Sequence, residues 1–419
     1  MGFASSWLYE RALFPEFINA APDINTGIIV VVPSFDEEGI TELLDSLFLC
    51  RKPACQAEVI IVINAPSDAG VEKIRGNKIS ETKIESWKKQ HKDCFFRLFV
   101  FTANTDLFNK WGVGMARKTG MDEAVRRFSH INNPEGVIVC LDADCHVQSN
   151  YFTALYDEFY CFKERKACSI YFEHPLEGEG FNDSVYMYIS LYELHLRYYL
   201  RALIYTGYPE AFHTVGSSMA VKALQYIKTG GMNRKQAGED FYFIQKLIAA
   251  GGYFNLPKTT VYPSPRISSR VPFGTGASIG KLSSGKEPLL QSYSIDAFEE
   301  LKVFFSLTDQ LYRLKENEFA SFHGSLPRGL RSFIDENELF ERISEIRNNT
   351  SSPESFRKRF FGWFNMFRIV KYLNHVHNEF FEKTPVEVSA SYLLIKTGLS
   401  KNLNDVRDLL LFYRELDRG

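Results

Sequence analysis

Short apolar runs alternate along the first part of the chain with helically spaced segments. Residues 28–32 (Ile-Ile-Val-Val-Val) are uninterrupted and largely β-branched, which predicts a strand buried on both faces. From Ile40 through Leu43, Leu44, Leu47 and Phe48 the apolar spacing is that of a helix. Val59–Ile63 repeats the buried-strand pattern, a Lys/Glu-rich stretch over roughly 70–91 predicts a polar, solvent-facing helix, and 95–101 predicts a third strand. A helix running to about Phe128 leads into a fourth strand, Val137–Leu141. Buried strands alternating with helices specify an α/β fold, a mostly parallel sheet with flanking helices. Short strands are expected at Met219–Val221 and Thr259–Tyr262, and from about residue 288 the pattern is all-helical. The expected organisation is an N-terminal extension (1–26), an α/β domain (27–287) and a C-terminal helical domain (288–419).

In a parallel sheet, ligands bind outside the carboxyl ends of the strands. The polar residues following four successive strands are Glu37, Asn64, Arg117/Lys118 and Asp142/Asp144, so all four groups are expected to open onto one crevice. Asp142 and Asp144 are spaced i, i+2, and on an extended chain that spacing points both carboxylates the same way. Two anions so placed repel unless a cation sits between them. A hard divalent ion, Mg²⁺ or Mn²⁺, suits oxygen-only ligands and commonly holds substrate phosphates as well. For an isolated Asp-x-Asp the competing explanation is a solvated turn.

Further motifs in order along the chain give the Asp-x-Asp a context. Pro33-Ser34-Phe35-Asp36-Glu37-Glu38 resembles the Pro-(Ser/Thr)-Tyr-Asn-Glu-Glu opening of family 2 glycosyltransferases, which have the nucleotide-diphospho-sugar-binding GT-A fold. Gly112–Gly120, carrying Arg117 and Lys118, resembles the Gly- and Arg-bearing helix start after their third strand. Asp142-Ala143-Asp144 resembles their Asp-x-Asp, and Gly238-Glu239-Asp240 their Gly-Glu-Asp. The resemblance spans roughly residues 27–275. Two features depart from it. The second-strand loop reads Asn64-Ala65-Pro66-Ser67 in place of Asp-Asp-Gly-Ser, which leaves the nucleotide open, and no Gln-x-x-Arg-Trp is present, unlike processive membrane-embedded synthases.

The resemblance implies a division of labour. Asp144, with Asp142, would hold the metal, and Asp142 would also face the ribose. Pro33, Ser34, Phe35, Glu37, Asn64 and Arg117 would line the donor site. Asp240 would be the base that activates an acceptor hydroxyl, with Glu239 contacting the acceptor or orienting the base. Carboxylates at a helix start are also stabilising in their own right. Apart from the resemblance, Pro265–Gly276, a polar loop after a short strand, carries Arg266 and Arg270, and is either a plain surface loop, the ordinary case, or a lid that brings both arginines onto the diphosphate as it closes. His213 is either a further metal ligand or a structural histidine, the second being the ordinary case. Gly280–Lys286 comes close to a phosphate loop but has Glu287 where Ser or Thr should stand, and is set aside.

Composition narrows the class. A formal net charge of −2 argues against nucleic acid as a partner. Seven cysteines, an odd number with no Cys-x-x-Cys, point to neither a zinc site nor a disulfide framework, and suit a reducing, cytoplasmic setting. No apolar run reaches the ~18 residues that span a bilayer. The basic-aromatic segment 356–371 fits contact with a membrane surface or a partner, or packing on the catalytic domain. The aromatic helix over 183–206 fits core packing or acceptor binding. The helical region is compatible with a homo-oligomer. The expected function is a metal-dependent, inverting transferase moving a sugar from a UDP- or GDP-linked donor to a hydroxyl of a glycan or lipid-linked precursor. The alternatives are a nucleotidyltransferase of similar fold and a non-catalytic relic that binds nucleotide or glycan.

Overall fold

The structure, a computed structural model, describes residues 2–103, 112–233, 238–267, 275–284, 290–399, 403 and 405–419. By contact the chain forms two compact units, Met1–Phe181 with Thr214–Ala277 and Asp417–Gly419, and Asn182–His213 with Ser278–Leu416. In chain order the elements are α1 (Ser5–Arg11), β1 (Thr26–Ser34), α2 (Ile40–Phe48), β2 (Gln56–Ile63), α3 (Val71–Gln90), β3 (Phe96–Thr102), α4 (Val113–His130) and β4 (Val137–Cys140). They continue with β5 (Cys145–Val147), α5 (Tyr151–Tyr160), β6 (Ala167–Phe172), α6 (Asp183–Tyr205), β7 (Met219–Lys222), α7 (Ala223–Lys228), α8 (Glu239–Ala249) and β8 (Tyr253–Pro263).

The first unit is built on an eight-stranded sheet in the order β3-β2-β1-β4-β7-β6-β8-β5. The four strands expected to be parallel are so, β1 lying between β2 and β4 with β3 outside β2. Every residue of β1 is buried, as its unbroken apolar run requires. Helix α4 covers this half of the sheet, and Gly120 lets it approach. A Cβ there would sit 2.4 Å from Val31 Cγ1. The remaining strands mix directions: β7 is antiparallel to β4 and β6, β8 is parallel to β6, and β5 is antiparallel to β8. Strand β8 is longer than the expected Thr259–Tyr262. Its register against β6 jumps from Leu256 to Thr260, so Pro257, which has no N–H to give the ladder, falls in a bulge.

The N-terminal segment is fastened to this unit. The ring of Trp7 meets Tyr226 edge-on at 5.5 Å, Phe17 stacks on Phe101 at 4.2 Å, and Arg127 and Arg97 donate to the carbonyls of Ala20 and Ala21. Beneath it Arg127 holds the buried Glu58 of β2 through two nitrogens, one at 2.7 Å.

The second unit is helical. Glu193 of α6 is fully buried between Arg197 (2.8 Å) and Arg414 (2.7 Å). Two tyrosines of α6 bond inside the unit: Tyr198 donates to the Tyr293 carbonyl and Tyr205 to Glu299. The basic-aromatic segment packs within this unit too. Phe360 and Phe361 lie against Phe304 and Phe305 at 5.2–6.4 Å, so its aromatic face is part of the helical core. Among the described residues no helix is long and apolar enough to cross a membrane, and all seven cysteines are free.

Candidate active site

The topology brings several chain segments to one edge. The chain runs outward from β1 to β3 and returns to β4 on the other side of β1. This creates a switch point between β1 and β4, the place where sheets of this kind commonly bind ligands. Because β7 is antiparallel to β4, pairing Cys140 with Met219, the residues before Met219 lie at the same edge. Strand β8 pairs Pro263 with Cys145, and so delivers Arg266 beside Asp144.

Two arginine-centred clusters occupy this edge. In the first, the guanidinium of Arg266 bridges two strand ends. It bonds Glu37, after β1, with one contact at 2.7 Å, and Asp144, after β4, at 2.8 Å. Burial would lower the Arg266 pKa, but hydrogen bonding to Glu37 and the charge of Asp144 outweigh it and hold it above its ordinary value.

In the second cluster Arg117, only 3% exposed, binds Asp142 Oδ1 at 2.6 Å and ion-pairs with Glu239 at the start of α8. Gly216 packs on this guanidinium so closely that a Cβ would lie 2.5 Å from it. The Gly216 N–H donates to Asp240 Oδ2 at 3.1 Å, and the Phe241 N–H donates to Asp240 Oδ1 at 2.7 Å. Burial pushes the Asp240 carboxyl above its ordinary value; Arg117 opposes the shift and Asp142 adds to it. Glu239 is raised for the same leading reason, again opposed by Arg117. Three carboxylates thus crowd one guanidinium, which favours an Asp240 that binds a proton more readily than a solvated aspartate.

The expected residues are distributed as follows. Glu37, Asn64, Asp142, Asp144, Glu239, Asp240 and Arg266 all lie in the first unit, and the clusters just described join all of them except Asn64. Pro33 and Ser34 are the buried last residues of β1, and Phe35 follows with the Lys73 ammonium 5.6 Å from its ring centre. Asn64 is buried, its N–H bonded to the Ser34 carbonyl. Arg270 lies outside the described residues, and His213 belongs to the second unit.

Three expectations change. Asp142 and Asp144 do not share one face of an extended strand. Strand β4 stops at Cys140, and a turn closed by the Cys145 N–H on the Asp142 carbonyl separates the carboxylates, each taking its own arginine. Arg117 is engaged by carboxylates rather than open to a phosphate. Lys118 points elsewhere, buried against Asp122 at 2.8 Å and under Trp7. The feature missed in sequence is the inner face of α3. Asn77 and Ser80 are buried there and bond the loops after β1 and β2. Their Asn/Ser character was visible; the direction in which they point was not.

A hard divalent ion suits this donor set in part. Asp144 and Asp142 offer only oxygen and keep side-chain exposures of 26% and 34%. Among the described residues no group of three His, Cys, Asp or Glu side chains forms a ready cage. Ions of this class commonly take one or two carboxylates and complete their shell from substrate phosphate and water, so Asp144 fits, provided Arg266 yields its oxygen. The nearby thiols do not offer a nucleophile: burial pushes Cys140 up to about 12 and raises Cys145 well above its ordinary value too.

No protein-family model matches the chain, and no curated protein matches it in sequence. Solved structures with a related course of the chain include Staphylococcus aureus TarS 1-349 in complex with UDP-GlcNAc, at 16% identity and a TM-score of 0.40, covering 82% of this chain and 93% of that one. The mannosyltransferase PcManGT from Pyrobaculum calidifontis, in complex with GDP-Man and Mn²⁺, gives 14% identity and a TM-score of 0.38 over 99% and 92%. Glucosyl-3-phosphoglycerate synthase from Mycobacterium tuberculosis gives 13%, 0.34, and 57% and 76%. Likenesses this distant leave the functional reading to the side chains.

Proposed function

We propose that the α/β unit is an inverting glycosyltransferase that takes a sugar from a nucleotide-diphospho-sugar and passes it to an acceptor hydroxyl. The observation that carries this reading is the convergence of Glu37, Asp144 and Arg266 with Asp142, Arg117, Glu239 and Asp240 at the switch point between β1 and β4.

The chemistry needs a basic group on one side of the anomeric carbon and positive charge on the other. Asp240 is the proposed base. Its carboxylate takes the acceptor proton as the new bond to the anomeric carbon forms, the bond to the diphosphate oxygen breaks, and the electron pair leaves with the nucleoside diphosphate. Two backbone N–H groups hold Asp240 in place. Arg117 fixes Glu239 and Asp142 on either side of it and keeps three anions together. Arg266 is the cation placed to meet the departing phosphate. A Mg²⁺ or Mn²⁺ ion at Asp144, beside Asp142, would add Lewis-acid polarisation of the diphosphate oxygens. Asn64 and the 33–37 loop would take the nucleoside.

A screen of UDP- and GDP-linked sugars for donor turnover, run on wild type and on Asp240→Asn, tests the proposal. It predicts turnover of at least one donor and its loss in the variant. Wild-type turnover by Asp240→Asn would remove the assigned base.

A further inference from the structure

The polar character of α3 has a use other than solvation. At the carboxyl ends of β1 and β2 the ladder stops, leaving backbone N–H and C=O groups that need partners. Asn77, 8% exposed, supplies two of them from one amide. Its Oδ1 accepts from the Asp36 N–H at 2.8 Å, and its Nδ2 donates to the Asn64 carbonyl at 2.9 Å. One turn on, the Ser80 hydroxyl shares its proton between the Glu37 carbonyl at 2.8 Å and the Gly76 carbonyl of its own helix at 2.9 Å, and Lys83 donates to the Glu38 carbonyl at 2.7 Å. Asp36 is held in the left-handed region at φ 53, a conformation that costs energy for a non-glycine residue unless its surroundings enforce it. Gly76 makes room for it, since a Cβ there would lie 2.3 Å from Asp36 Oδ1.

We infer that Asn77 is a positioning residue for the donor nucleotide, setting the spacing and orientation of the Phe35–Glu37 loop against Asn64. The inference rests on the glycosyltransferase reading. An amide is needed because the two loops present a donor and an acceptor. A carboxylate would face the Asn64 carbonyl with no hydrogen to give, and an aliphatic side chain would leave both groups unpaired. The device acts on the ground-state grip of the nucleotide and not on Asp240, so it should appear in donor KM rather than in kcat.

The test is Asn77→Asp together with the milder Ser80→Ala, each assayed for donor KM and kcat, for UDP and GDP affinity by calorimetry, and for thermal stability. The expected result is a donor KM and nucleotide Kd raised about tenfold in Asn77→Asp and a few-fold in Ser80→Ala, with kcat within about twofold of wild type, in keeping with loss of one buried hydrogen bond. Unchanged KM and Kd in either folded variant, whatever the change in melting temperature, would overturn the inference and leave α3 a purely structural support. If Asn77→Asp does not fold, Ser80→Ala alone decides between these outcomes. A wild-type protein that binds neither nucleotide would instead sink the transferase reading.

Discussion

Arg266 and Asp144, on segments far apart in the chain, meet at 2.8 Å. The same guanidinium holds Glu37, so the charge that a divalent ion would bring to Asp144 is already present as a side chain. A metal at Asp144 would therefore compete with the arginine for one carboxylate. Arg266→Ala should bind Mn²⁺ in the absence of nucleotide about tenfold more tightly than wild type, and Asp144→Ala should lose that binding, as measured by calorimetry. Weaker Mn²⁺ binding by Arg266→Ala would show that the arginine supports the metal site instead.

With Asp240 as the proposed base, the burial that raises its carboxyl predicts a pH dependence of activity. A base must be unprotonated to act, so the acid limb of kcat against pH should lie above the ordinary carboxylate value of 3.8. The sign for stability is opposite. A carboxyl whose folded pKa is raised favours the folded state at low pH, and that contribution is lost as pH rises through the shifted value. Asp240→Asn should reduce kcat by about 10²- to 10⁴-fold while donor affinity is kept.

Glu58 sits in β2 with its charge buried, and Arg127 grips it with two nitrogens. Removing Arg127 leaves Glu58 only the half-exposed Arg97, 3.7 Å away, as a cationic partner. Arg127→Ala should therefore destabilise the α/β unit by about 3–5 kcal/mol, measured by denaturant unfolding, while the paired change to two apolar residues should cost much less.

In the helical unit, burial pushes His195 down from 6.5 to about 4, with Lys383 adding to the shift and Ser292 bonded to its ring at 3.1 Å. A depressed folded value means that the folded state resists protonation. The stability held above pH 6.5 should fall as pH drops toward 4, by about 2 kcal/mol at pH 5. His195→Gln should flatten that slope in thermal denaturation between pH 7 and 5.

The strands of the parallel half were legible because nothing else explains five β-branched and apolar residues in a row such as Ile28–Val32, buried on both faces. The convergence of Glu37, Asp142 and Asp144 followed from strand order alone. The fate of each charge was not legible. Arg117 meets Asp142 and Glu239, which lie 25 and 122 residues away in the chain, and only the antiparallel return of β7 and the start of α8 bring them together. Helix α3 illustrates the same limit. Its polar sequence predicts a solvated surface, and half of that holds, yet Asn77 and Ser80 face inward because two strand ends leave backbone groups to be satisfied. Helical spacing specifies a face; it does not say whether polar residues on that face meet water or backbone.

Calorimetric titration of UDP and GDP into wild type and Asp144→Ala, with Mn²⁺ present, tests the central claim most directly. Metal-dependent binding of at least one nucleotide by the wild type, abolished in the variant, is the predicted result. Absence of binding by the wild type to either nucleotide, or equal binding by the variant, would contradict it.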